Sequence, residues 1–100
     1  MHVGCCSVKF FLHGNNSLKG KRRIIRTLKD RLKNKFNISV AEIGDQDVWQ
    51  SLHMGIVAVN SDPTYLEGQM SKLVDAIENM HLAEITDCQV QLTRMGPEQP

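Results

Sequence analysis

Residues 51–80 read SLHMGIVAVNSDPTYLEGQMSKLVDAIENM, and the change of period inside this stretch decides the fold. Leu52-His53-Met54-Gly55-Ile56-Val57-Ala58-Val59 ends in a near-continuous apolar run, the pattern of a central strand covered on at least one side. Asp62-Pro63 then announces a helix, with the carboxylate as N-cap and the proline at the first helical position. Leu66, Met70, Leu73, Ile77 and Met80 follow at steps of three and four, with Val74 beside them, and form the buried stripe of that helix.

Upstream, Ile38 to Ile43 is rich in β-branched residues and reads as another strand. Gly44-Asp45-Gln46-Asp47 joins it to the third strand at residues 51–60. Val8, Phe10 and Leu12 alternate with their neighbours, which makes residues 2–12 a half-buried first strand. His13-Gly14-Asn15-Asn16 is turn chemistry, and Ser17 suits an N-cap. Leu18, Ile25, Leu28, Leu32 and Phe36 then share one helical stripe, widened by Ile24, and Asn37 stops the helix. Downstream, Cys88, Val90 and Leu92 alternate with polar residues as a last strand, while Ile85 is out of phase and predicts a bulge.

The order β-α-β-β-α-β predicts an α+β fold, the ferredoxin-like plait: a four-stranded antiparallel sheet with both helices on one face. The first and third strands should be central, the second and fourth edges, and the second sheet face open. Residues 1–94 are expected to form this single domain and 95–100 a flexible C-terminal tail.

With 41% hydrophobic and 23% charged residues, the chain has the composition of a globular protein and not of a disordered one. No apolar run approaches the roughly 20 residues of a membrane span, and Ser7 and Lys9 break the first apolar stretch, so no signal peptide and a cytoplasmic address are expected. Cys5, Cys6 and Cys88 are expected to be small buried side chains in a reducing compartment.

The net charge of +1 conceals a split. Up to residue 35 there are ten bases and one acid, Asp30, a balance of +9; from Phe36 onward two bases face ten acids, a balance of −8. Nine of the bases lie between Lys19 and Lys35, on a helix about 27 Å long. Helix surfaces ordinarily interleave opposite signs at i, i+4, and this one scarcely does. A polyphosphate backbone is the partner such a face suits.

Other chemistry is poorly supported. Gly14 to Lys21 resembles the end of a phosphate loop, but the spacing is one residue too long and Arg22 stands where Ser or Thr would hold magnesium. His2, His13, His53 and His81 are scattered, and the acids Glu42, Asp45 and Asp47 lack calcium-loop spacing. No catalytic residue, metal or cofactor is assigned. Trp49 is expected to plug the end of the core, with its indole N–H bonded to a carboxylate or a carbonyl; a partner anchor is the alternative.

Met1-His2-Val3-Gly4, Ser17-Leu18-Lys19-Gly20-Lys21-Arg22-Arg23, Phe36-Asn37-Ile38-Ser39-Val40-Ala41-Glu42 and Gln46-Asp47-Val48-Trp49-Gln50 resemble, in that order, the motifs of the YlxP-like family, a bacterial domain of unknown function. The resemblance covers roughly residues 1–94 and implies a ferredoxin-like fold. Family members often lie in gene neighbourhoods with translation factors and a ribosome-binding factor, which implies a role near ribosomal RNA. Two positions depart from the pattern: Gly20 replaces a usual Glu, which removes a capping box, and His13 replaces a common Pro.

The expected function is therefore that of a non-enzymatic RNA-binding accessory protein, associated with the ribosome or with translation. Lys19, Lys21, Arg22, Arg23, Arg26, Lys29 and Lys33 would contact phosphates. The alternative is a protein-interaction module, a homodimer formed through the open sheet face or an edge strand with no nucleic-acid role. Phe11, Asp47 and Trp49 are the candidate partner contacts.

Overall fold

A computed structural model describes residues 1–97. The elements follow the expected order: β1 (His2–Phe11), α1 (Leu18–Lys35), β2 (Ser39–Gly44), β3 (Ser51–Asn60), α2 (Pro63–Met80) and β4 (Glu84–Arg94). All pairings are antiparallel, and the sheet runs β2-β3-β1-β4, so β1 and β3 are central and β2 and β4 are edges.

Alternation sets the two faces. Cys6, Val8 and Phe10 of β1 lie opposite Ile56, Met54 and Leu52 of β3, and all six are buried on the helix-bearing side. From the helices, Leu28 and Leu32 of α1 and Leu66, Met70, Leu73 and Ile77 of α2 complete the core. Each fully buried leucine there contributes about 1.5–3 kcal/mol. Gly4 lets α2 close on β1: a Cβ at that position would lie 2.8 Å from Met70 Sδ.

The helix ends follow their capping residues. Ser17 Oγ accepts from Gly20 N at 3.0 Å, so the serine cap forms without the glutamate of a capping box. A side chain at position 20 would collide with Asn15, whose Nδ2 donates to the carbonyls of Ser17 and Trp49 and ties the turn to the β2–β3 loop. Asp62 caps α2 by accepting from Thr64 N and Tyr65 N. His81 ends α2 in the left-handed conformation.

The bulge anticipated near Ile85 is present. Lys9 pairs with Asp87 and Phe10 with Ile85, so one residue of β4 is skipped and Ile85 turns toward the core. Met95 is held more firmly than a flexible tail would be: its N–H donates to Met1 O at 2.8 Å, and the Met1 ammonium donates back to Met95 O at 2.9 Å. Residues 98–100 of the expected tail lie outside the described residues.

Candidate nucleic-acid interface

The expected phosphate contacts divide into two environments. At about 100° per residue along α1, Lys19, Arg22, Arg23, Arg26, Lys29 and Lys33 fall within an arc of about 120° pointing away from the core stripe. Five of them are exposed and Lys29 is half-buried. Asp30 is the one acid within that arc. These six side chains form a continuous cationic flank along the helix.

Lys21 does not belong to it. It is 1% exposed, and its ammonium donates to the carbonyls of Asp45 and Val48, the latter at 2.9 Å. Glu42 Oε2 lies 3.0 Å from the same nitrogen as an ion pair whose angle falls outside hydrogen-bond geometry, and among the described residues it has no hydrogen-bond partner. The expectation that Lys21 contacts phosphate is corrected: it is an internal clamp between α1, β2 and the β2–β3 loop. Its position explains this, since residue 21 is three beyond Leu18 and four before Ile25, within the apolar stripe itself.

A second basic region lies on the opposite flank of α1. Arg31 and Lys35 line a groove of about 920 Å³ between the helices together with Tyr65, Gln69, Lys72 and the acidic Asp75 of α2. Tyr65 is largely exposed. The net-charge count included these lysines and arginine, but Tyr65 carried no sequence signal beyond its place between the α2 cap and Leu66.

The expected partner contacts are spread over the molecule. Phe11 is half-buried on the open sheet face, its ring edge-on to His13 with centroids 4.5 Å apart. Asp47 is exposed in the β2–β3 loop. Trp49 is 52% exposed, which corrects its expected role as a core plug; it is the Trp49 carbonyl, accepting from Asn15 Nδ2, that fastens the loop. Its exposed ring keeps it available to a partner.

The cysteines also divide. Cys6 is buried as expected, but Cys5 and Cys88 are exposed. Burial first, and then the neighbouring Cys88 thiol, push the Cys6 pKa up to about 12, so it stays a protonated thiol at neutral pH. On the open face, Ser7 Oγ and His53 Nε2 lie 2.8 Å apart, a pairing of the central strands that the linear spacing did not reveal. Glu42 turns to the helix-bearing side and Asp45 accepts from Ser51 Oγ at 2.6 Å, which separates two of the three acids of that region. Among the described residues no helix is long and apolar enough to cross a membrane.

Comparison with known proteins agrees with this architecture. The putative antibiotic biosynthesis monooxygenase from Deinococcus radiodurans superposes over 100% of this chain and 97% of its own, with a TM-score of 0.51 and 12% identity, a likeness of fold alone. The uncharacterized protein YlxP of Bacillus subtilis (strain 168) is 33% identical over 84 residues, which span 84% of this chain and 91% of YlxP. Residues 3–90 match the family described as "Protein of unknown function (DUF503)", and the chain belongs to that family.

Proposed function

We propose that the protein is a non-enzymatic RNA-binding accessory factor of the cytoplasm, acting at or near the ribosome, and that it holds RNA phosphates along the outer flank of α1. The observation that carries this reading is the arrangement of Lys19, Arg22, Arg23, Arg26, Lys29 and Lys33 on one side of a single helix, with only Asp30 among them. Six cations in one arc repel one another and gain little from the fold, whereas each phosphate they neutralise releases condensed counterions. An 18-residue helix can follow several successive phosphates of an RNA strand or duplex edge. Arg31, Lys35 and Lys72 extend the positive surface into the groove beside Tyr65, where an exposed base could stack.

The test is binding to ribosomal subunits and structured RNA across a salt series. Five or six phosphate contacts predict a log–log slope of about −4 to −5. Replacing Arg22, Arg23 and Arg26 together by Gln should lower affinity at every sequence tested and flatten the slope by about two to three units. Absence of binding at low salt, or binding that ignores salt, would reject the reading.

A further inference from the structure

The groove between α1 and α2 carries more positive charge than the fold uses. Arg31 and Lys35, one turn apart on α1, and Lys72 of α2 line it with a single carboxylate, Asp75. Among the described residues none of the three cations forms an ion pair, and Lys35 rests only against the Phe36 ring, 5.9 Å from its centroid. Unpaired cations on one concave surface repel one another, and an anion seated among them relieves that repulsion.

Two features of α2 narrow the chemistry of that anion. Tyr65 lines the groove two turns before Lys72 and is 62% exposed. An aromatic ring at the wall of a cationic groove offers a stacking surface to a flat ligand. Gly68 stands between Tyr65 and Lys72 in sequence and lines the same groove. Its backbone is ordinary helix without a positive φ, a setting in which glycine is destabilising relative to alanine. Packing does not require it, since a Cβ there would meet no atom within 4 Å. What the missing side chain leaves is room beside the tyrosine for another molecule to approach the helix backbone. Two amides also line the groove. Asn60 Oδ1 accepts from Asp62 N at 2.9 Å, which fixes that side chain and keeps its NH2 group available, and Gln69 is half-buried. Both can hydrogen-bond the edge of a base. The volume of about 920 Å³ falls within the roughly 300–1,000 Å³ of small-molecule sites. An acidic peptide would satisfy the cations but would use neither the ring nor the open glycine.

We propose that this groove takes an unpaired nucleotide of an RNA strand, with its base stacked on Tyr65 and its phosphate held by Arg31, Lys35 and Lys72. Such a site rests on the RNA-binding function proposed for α1, and it adds what the outer flank cannot supply. The flank meets phosphates of paired and unpaired RNA alike, whereas a base inside a duplex is not free to reach a ring, so the groove prefers unpaired RNA.

The test is an NMR titration of the full chain with a single-stranded oligoadenylate and with a blunt RNA duplex. Tyr65 is the one tyrosine of the chain, so its ring signals report on the groove directly. They should move upfield with the single strand and stay in place with the duplex. Tyr65→Phe should keep the single-strand affinity, and Tyr65→Ala should lower it about 5- to 150-fold, the range of one base–aromatic stack. Gly68→Leu should melt no lower than wild type and still lose single-strand affinity, a combination that damage to the fold would not give. Three results would overturn the groove site while leaving the flank standing: a bound single strand with the tyrosine signals unmoved, adenosine monophosphate or hexaglutamate binding the groove as tightly as the strand, or Gly68→Leu binding like wild type. Tyrosine shifts and duplex affinity both unchanged in the Arg22→Gln/Arg23→Gln/Arg26→Gln protein would keep the groove and overturn the flank. No binding of either RNA at low salt would overturn both.

Discussion

Lys21 and its neighbour Arg22 show how one turn of helix can divide like charges between opposite tasks. Arg22 stands with five other cations on the outer flank of α1, exposed, while Lys21 is buried with two carbonyls and a carboxylate around its ammonium. The outer charges repel one another and cost the fold a little; the inner charge joins three elements. Charge composition is therefore a poor guide to a basic helix unless each charge is first assigned to a face.

The sharpest way to break this division is Lys21→Met. Removing the ammonium leaves Glu42 without its cation and withdraws a donor from two carbonyls, and loss of one member of a buried pair costs about 3–5 kcal/mol. Because Glu42 is partly open to water, a loss near the lower end, about 3 kcal/mol in urea unfolding, is expected. Adding Glu42→Leu should restore more than half of that loss by removing the orphaned carboxylate. A Lys21→Met protein as stable as wild type would show that the clamp is not what holds the loop.

Why this was only partly legible in the sequence follows from what periodicity measures. The strands β1 and β3 and both helices were readable because their apolar residues repeat at two or at three-and-four steps over ten residues or more. The same rule, applied to polar residues, places Lys21 and Glu42 each on an inward-facing side. Lys21 is in phase with Leu18, Ile25 and Leu28, and Glu42 is in phase with inward-facing Val40. Their meeting could not be read, because it depends on how α1 packs against β2. Val90 and Leu92 fail in the opposite sense: alternation reports correctly which side of the sheet they face, but it cannot report that α2 stops short of covering them. Trp49 lies in a loop with no period at all, and its exposure had no signal.

The outer flank sharpens the comparison by its expected indifference. The Arg22→Gln/Arg23→Gln/Arg26→Gln protein that tests RNA binding should unfold within about 0.5 kcal/mol of wild type, as exposed substitutions away from caps and cores do. Relief of repulsion along the flank should make the change, if any, favourable at low salt and absent at high salt. A loss of several kcal/mol would mean that these arginines, like Lys21, have structural partners. The helix would then not be divided between an outer set of free charges and an inner clamp.

The smallest effect concerns the loop that Lys21 clamps. Asp45 sits there in the left-handed conformation, with φ at 56°, and its carboxylate accepts from the Ser51 hydroxyl. That hydrogen bond is the main cause of a pKa held below the ordinary aspartate value; desolvation, the next largest effect, opposes it, and the charges of Lys9, His53 and Lys21 each add a smaller lowering. A depressed carboxyl favours the folded chain above the pKa of the unfolded chain, and the contribution disappears as pH falls through the folded pKa. Ser51→Ala should therefore move the Asp45 titration upward by NMR and leave stability at neutral pH almost unchanged, because the group is fully exposed. Lys21→Met should move the same titration less, since its charge is the weakest of the three that act on Asp45. If the lysine variant moved it more, removing the clamp would have displaced the whole loop, and Lys21 would act on Asp45 through geometry as well as charge.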